Sequence, residues 1–358
     1  MKKILITGYN LDIGGIETSL INLLKNLDTQ KYDITLVLEK KEGIFLNQIP
    51  KNIKVIDYNL NYSKNIIYRK IRNRLKLIIW KILHKNKYDY SICFATHSKP
   101  GALIALNGSK NNAIWLHGNY CNFFNYDVKK IDKFFNGIKL HKFKNYVFVS
   151  NENKEETQKL YKLNGNIHVI NNVIDGDNII KNSKEKIEFK KTKTTFVNVS
   201  RHDEYQKRIS RIIEACNMLL KEDYDFELLL IGDGPDNQLY KELVKKYKIE
   251  KNIHFLGKKS NPFPYYKTAD AVILSSQNEG YPVVFNEARI LNIPLITTKV
   301  SDYQDIEKKY GIVTEQEEIY KGMKEFLDNG FKMQQKFDYN KYNQEIITKI
   351  ENLINNKE

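Results

Sequence analysis

Short apolar runs recur along this chain and alternate with longer stretches in which the apolar positions follow a helical period. Runs at residues 2–7, 34–38, 53–57, 90–95, 113–117 and 146–150 lie in the first half, and runs at 194–200, 226–231, 253–256, 270–275 and 294–298 in the second. They are continuous rather than alternating, the pattern of strands covered on both faces. Between them, Leu20, Ile21, Leu23, Leu24 and Leu27 fall on the inner face of a helix over 16–27, and Ile209, Ile212, Ile213, Leu219 and Leu220 on that of another. A further helix is predicted over 237–247, and a last one from about residue 338. Strand and helix in alternation predict an α/β fold of doubly wound parallel sheets. At 358 residues the chain is long enough for two separately cored domains.

Composition narrows the class. With 41% hydrophobic and 12% aromatic residues the chain is globular. No stretch approaches the roughly 20 apolar residues of a membrane span, and the first apolar run is too short for a signal peptide. The three cysteines, Cys93, Cys121 and Cys216, lack metal-ligand spacing and read as small buried residues of a reducing cytoplasm.

The formal net charge of +15 implies an anionic partner: nucleic acid, an acidic membrane or phosphorylated substrates. Zinc-finger spacing, an RNP-type aromatic motif and a basic region with heptads are all missing, which disfavours nucleic acid. Much of the charge is concentrated at 63–88. There nine Lys and Arg occur without one Asp or Glu, interleaved with Ile66, Ile67, Ile71, Leu75, Ile78, Ile79, Trp80, Ile82 and Leu83. Two readings stay open: an interfacial helix on an anionic membrane surface, or a core-packed helix with a solvated basic side.

Candidate chemistry centres on 276–287. The predicted strand at 270–275 ends just before Glu279-Gly280-Tyr281-Pro282, at the carboxyl end where open α/β sheets bind ligands. The amides of Tyr281, Val283 and Val284 open the next helix, and unpaired amides at a helix start favour phosphate. Glu287, about two turns in, is removed from that anion site and suits a pair of sugar hydroxyls. One ligand with both phosphates and sugars fits this layout. Upstream, Arg201 and Lys207 bracket a loop after the strand at 194–200, where two cations can reach one diphosphate. His117 ends a strand and precedes a glycine, and Gly14-Gly15 open the first helix without forming G-x-G-x-x-G. His84, His97, His141, His168, His202 and His254 have no comparable setting. Asp175-Gly176-Asp177 spells D-x-D but lies in a polar, Asn-rich linker, so it reads as turn chemistry, with no metal.

Together these residues resemble the retaining glycosyltransferases of family 4, which have the GT-B fold. Glu279 through Glu287 is similar to that family's E-x7-E, Gly14-Gly15-Ile16-Glu17 to its G-G-x-E, and Gly232-Asp233-Gly234-Pro235 to its G-D-G-P. The segment ending in Gly257 and Lys258 resembles the one whose backbone meets a uracil-type base. The resemblance implies two Rossmann-like domains facing a central cleft, at 1–180 and 181–335, with a helix at 336–358 returning to the first.

It further implies transfer of a hexose from a nucleotide-sugar, UDP-linked, to a glycan or lipid-linked saccharide of bacterial surface polysaccharide. The anomeric configuration would be retained, and the nucleotide-sugar would serve as co-substrate without a separate cofactor. Glu279 and His117 would hold the donor sugar and Glu287 the ribose. Arg201 and Lys207 would neutralise the leaving diphosphate, with Gly232, Gly257, Lys258, Gly280, Tyr281, Pro282, Val283 and Val284 lining the nucleotide. The Arg201–Lys207 separation is one residue longer than usual, which leaves Arg208 as an alternative second cation. The expected location is cytoplasmic, at the inner face of the cell membrane. The competing functions are a nucleotide-sugar epimerase, a phosphorylase, and a non-enzymatic nucleic-acid binder.

Overall fold

A computed structural model describes residues 1–12, 14–60 and 63–356. The chain divides into two compact units, Met1–Ile174 joined by the terminal segment from Tyr342, and Asp175–Lys341.

The first unit is built on β1 (Lys2–Gly8), β2 (Tyr32–Leu38), β3 (Lys54–Asp57), β4 (Tyr90–Cys93), β5 (Asn112–Leu116), β6 (Asn145–Phe148) and β7 (Asn166–Val169). They pair in parallel in the order β3-β2-β1-β4-β5-β6-β7. Strands β4, β5 and β6 are buried throughout, as expected of a sheet covered by helices on both faces. The predicted first helix is α1 (Gly15–Asn26), which buries Leu20, Ile21, Leu23 and Leu24. The terminal helix Tyr339–Asn355 is tied to this unit by Asn343, whose amide donates to the Ile174 carbonyl at 2.7 Å, and by Lys31 on Glu351 at 3.2 Å.

The second unit carries β8 (Thr194–Val199), β9 (Phe226–Ile231), β10 (Ile253–Gly257), β11 (Ala271–Leu274), β12 (Leu295–Thr298) and β13 (Gly311–Thr314), parallel in the order β10-β9-β8-β11-β12-β13. Its core joins Phe196, Leu228, Leu230 and Ile273 of the sheet to Ile209, Ile212, Cys216 and Leu219 of the helix Ile209–Lys221. In both units the chain starts centrally, runs to one edge, and returns to build the other. That reversal leaves a gap in the covering loops between the strands on either side of it. In the second unit these strands are β8 and β11, and Asn198 spans them through its side-chain amide on the Ile273 carbonyl at 2.8 Å.

Three details depart from the sequence reading. Strand β13 is not signalled by the apolar pattern, because its four residues Gly-Ile-Val-Thr form a short edge behind a lysine-rich turn. The helix carrying Glu287 spans Val283–Leu291, so this glutamate lies little more than one turn in, not two. The helix α2 (Ile66–His84) packs on the core through Trp80, its one buried residue, and leaves most of its other apolar side chains exposed, not turned inward as a core-packed helix would have them. The three cysteines are buried and unpaired, as expected.

Gly232 leaves β9 with φ +148°, and a Cβ there would stand 1.8 Å from the Ser200 carbonyl oxygen. Gly257 also has positive φ (+67°), but nothing lies near its missing side chain. Gly257→Ala should therefore cost about 1 kcal/mol of backbone strain. Gly232→Ala, strained and clashing with fixed backbone, should cost about 3 kcal/mol. Urea unfolding of the two variants separates them.

Candidate functional site

In the second unit the loops after β8 and β11 meet at the reversal of strand order. Ser275, just beyond β11, donates its hydroxyl to the carbonyls of Lys207 (3.1 Å) and Arg208 (2.8 Å). The Gln277 amide donates to the Gln206 carbonyl at 2.7 Å, and the Gln206 side chain returns a bond to the Asn278 carbonyl. These stitches bring the short helix Glu204–Lys207, capped by Asp203, against the 275–279 loop.

Lys207 and Glu279 meet as a result. The ammonium donates to Glu279 Oε1, which also accepts the Ser276 hydroxyl at 2.7 Å. Both side chains are largely covered, the lysine 17% and the glutamate 10% exposed, so neither charge is fully solvated. Arg208 takes a left-handed backbone conformation (φ 49°) and its guanidinium turns to Glu204 at 3.7 Å. Of the two candidate second cations, Lys207 is thus the one held against Glu279. Arg201 is exposed, 4.0 Å from Asp203.

Glu279 and Gly280 follow β11, and the turn through Pro282 delivers the chain into the helix Val283–Leu291 with no side chain capping its start. The first amides of that helix, at Val283 and Val284, follow Glu279 directly through the Gly280-Tyr281-Pro282 turn. Phe285 bonds back to the Pro282 carbonyl at 3.1 Å. Ser301 donates to the Gly280 carbonyl, fixing the turn from β12's side. Tyr281 is held by Arg289, whose guanidinium donates to the phenol oxygen at 2.9 Å and stacks over Phe337 at 4.1 Å. Glu287 accepts the Tyr266 hydroxyl at 2.7 Å. Burial raises its carboxyl above the usual carboxylate range, and the Tyr266 bond offsets only part of that. Tyr266 itself is held protonated, a donor, by burial and by the nearby carboxylate.

Gly232 and Gly257 line the same edge of the sheet, the Gly232 amide donating to the Gly257 carbonyl at 3.1 Å. Lys258 follows, exposed. Gly234 packs against the His202 backbone, and His202 is buried with Nδ1 on Asn237 at 2.8 Å, a structural role. The supporting residues Tyr266, Ser276 and Arg289 have no motif of their own. Their one sequence signal is a polar or aromatic side chain within an otherwise apolar segment. Asp175 caps the helix Gly176–Asn182, and Asp177 accepts the Tyr339 hydroxyl at 2.7 Å, so both carboxylates of the D-x-D serve local structure. Among the described residues no cluster of three or more His, Cys, Asp and Glu could hold a metal ion.

Of the residues singled out in the sequence, Gly14, Gly15 and His117 belong to the first unit. Gly14 is the residue before α1, and a Cβ on it would meet the Glu17 carboxylate, which folds back over the helix start. Gly15 has open space around it, so the close approach belongs to Gly14 alone. His117 follows β5 and packs on Phe94 at 4.6 Å. Its Nε2 is buried and has no hydrogen-bond partner. Desolvation lowers its pKa to about 3, so the ring is neutral at physiological pH. A neutral ring with one unmatched nitrogen is suited to a ligand hydroxyl.

Comparison with known proteins follows the same division. Residues 13–178 match the family described as Glycosyltransferase Family 4, and residues 179–344 match Glycosyl transferases group 1. An uncharacterized glycosyltransferase of Haemophilus influenzae is 26% identical over 338 residues, covering 92% of this chain and 91% of that one. The alpha-monoglucosyldiacylglycerol synthase of Acholeplasma laidlawii is 23% identical, covering 79% and 76%. The crystal structure of Anabaena HepE in complex with UDP and glucose superposes with a TM-score of 0.74 at 17% identity, over 98% of this chain and all of that one. The fold is that of the GT-B glycosyltransferases.

Two outcomes test the site's electrostatics. In a double-mutant cycle, Lys207→Met and Glu279→Gln should each destabilise, and the pair should show a coupling of about 1–3 kcal/mol in urea unfolding. His117 should make stability pH-dependent. The unfolded ring binds a proton near its ordinary pKa of about 6.5, whereas the folded ring does so only near 3. Stability is therefore complete above the first value and falls as pH drops toward the second, by on the order of 1 kcal/mol per pH unit. His117→Gln should flatten that slope between pH 6 and 5; an unchanged slope would place the ring's titration elsewhere.

Proposed function

The chain belongs to the family 4 glycosyltransferases of GT-B fold, and on that premise we propose that it moves a hexose from a UDP-sugar to a hydroxyl of a glycan or lipid-linked saccharide, with retention of anomeric configuration. The observation that carries this reading is the Lys207–Glu279 pair at the carboxyl edge of the second sheet, beside an uncapped helix start. A cation, a carboxylate and free helical amides on adjoining loops match a ligand with phosphate at one end and sugar hydroxyls at the other. The UDP and glucose held by the Anabaena neighbour support a UDP-linked donor. The name of the Acholeplasma relative supports an acceptor at a lipid. The setting is bacterial surface-polysaccharide synthesis in the cytoplasm, at the inner face of the membrane.

The chemical difficulty is charge separation. As the bond from the anomeric carbon to the diphosphate breaks, its electron pair goes to the phosphate oxygen and positive character develops on carbon. Arg201, Lys207 and the amides of Val283 and Val284 neutralise the diphosphate as preorganised charges and dipoles. Lys207 first exchanges Glu279 for phosphate, which frees Glu279 to accept the sugar's hydroxyls. Glu287, oriented by Tyr266, accepts the two ribose hydroxyls. In the first unit the unmatched Nε2 of His117 accepts a sugar hydroxyl. The acceptor oxygen attacks on the face the leaving group vacates, and the departing phosphate takes the acceptor's proton.

Arg201→Ala should lower kcat by roughly 100-fold or more, the scale of one lost oxyanion donor at ~3 kcal/mol. Glu287→Ala should chiefly raise the KM for the donor, as loss of a contact made equally in ground and transition states does. Transfer should persist in EDTA. Conversion of UDP-sugar in the absence of acceptor would identify an epimerase instead.

A further inference from the structure

The helix α2 departs from what a helix of a folded unit ordinarily does. Asn65 caps it, accepting from the Tyr68 amide at 3.0 Å, and Trp80 holds it down. The indole joins Leu5, Val37, Tyr58 and Ile104 of the first unit's core and stacks on His84 at 3.9 Å. On the same side Lys76 donates to the Asn59 carbonyl at 2.9 Å and lies over the Tyr58 ring. The face the helix gives to its own unit is therefore fixed by Trp80, with Lys76 and the half-buried Leu77 near it.

The main apolar face points the other way. Ile67, Ile71, Leu75, Ile78 and Ile82 recur at spacings of four, four, three and four, one stripe along a helix. At about 100° per residue the middle of that stripe lies opposite Trp80. All five are between 45% and 75% exposed. Lys70, Arg74 and Lys81 border the stripe on one side and Arg72 on the other, and no acidic residue occurs from 63 to 88. An exposed apolar stripe of this length marks a surface that something covers.

We propose that α2 is a docking helix that lies in the plane of an anionic lipid surface, its isoleucine and leucine stripe in the acyl boundary and its flanking lysines and arginines at the phosphate level. The two properties together select this occupant. Nucleic acid would satisfy the cations and leave the stripe in water. A second copy of the chain would cover the stripe and bring two cationic flanks together without a carboxylate between them. No helix among the described residues is long and apolar enough to cross a membrane, so the association is peripheral. The inference deepens the glycosyltransfer reading, on which it rests for an acceptor presented at a membrane, and it names the element that brings the enzyme there.

Flotation of the full chain with vesicles tests it without any transfer step. Binding is expected to vesicles containing phosphatidylglycerol, weak binding to pure phosphatidylcholine, and a fall in binding as salt is raised. Ile71→Asn/Leu75→Asn/Ile78→Asn should reduce partitioning at least about ten-fold, and Arg72→Glu/Arg74→Glu/Lys81→Glu similarly. Both variants should keep the wild-type melting temperature and, with a short water-soluble acceptor, the wild-type turnover. Wild type and variants partitioning alike would overturn the proposal. So would a wild-type dimer that the Asn variant converts to monomer, since the stripe would then belong to a second copy. Failure of transfer to every acceptor, with vesicle binding intact, would instead sink the glycosyltransfer reading alone.

Discussion

A lysine and a glutamate 72 positions apart in sequence share a proton-bearing contact at the edge of the second sheet, and the loops around them are arranged to make that contact possible. Each charge compensates the other, because a lone partly buried ion loses more hydration than its neighbours return. Ser275 and Ser276 close β11 with hydroxyls that bond the helix of Lys207 on one hand and Glu279 on the other. Asn198 joins β8 to β11 beneath. The strand order makes this pairing available. With β9 and β10 on one side and β12 and β13 on the other, the loops after the two central strands have no crossover helix lying between them.

The pair also bears on the transfer proposed above. An ion pair between two groups that each have a second use is an exchangeable contact. In the proposed transfer a diphosphate would compete for the ammonium with more charge than one carboxylate offers, and sugar hydroxyls would compensate the carboxylate that is released. The fixed parts lie a layer further out: Tyr266 on Glu287, Arg289 on Tyr281, Ser301 on the Gly280 carbonyl. Arg289 in particular is buried between two aromatic rings, where its charge is held by stacking and by the Tyr281 and Asn286 oxygens. Charges and dipoles held in place by such a frame are what differential stabilisation of a charge-separated state requires.

Much of this architecture is legible in the sequence because the strands are continuous apolar runs and the chemistry sits directly after them. Eleven such runs have counterparts among the observed strands. What pattern could not supply is pairing at a distance. Nothing local in Lys207 or Arg208 distinguishes the two cations; the left-handed turn at Arg208 does, by sending one side chain to Glu204 and leaving the other for Glu279. Gly14 and Gly15 look equivalent in sequence, yet the Glu17 carboxylate lies over one and not the other. The supporting phenol of Tyr266 is likewise visible only once its helix is packed against that of Glu287.

The basic helix shows the same limit from the opposite direction. Helical periodicity reports that α2 has an apolar stripe, and the ordinary inference turns such a stripe toward the core. Periodicity is blind to sign, however: the same spacing describes a stripe facing in or out. One residue decides it. Trp80 lies off the stripe, and because it is the side chain taken into the core with Tyr58 and Ile104, the aliphatic row opposite it is turned to the outside. A buried helix with nine cations over 63–88 would have to bring their charges to water past its own packing surface. Anchoring by a single aromatic removes that conflict and leaves cations and aliphatics together at the surface, the combination on which the proposed lipid docking rests.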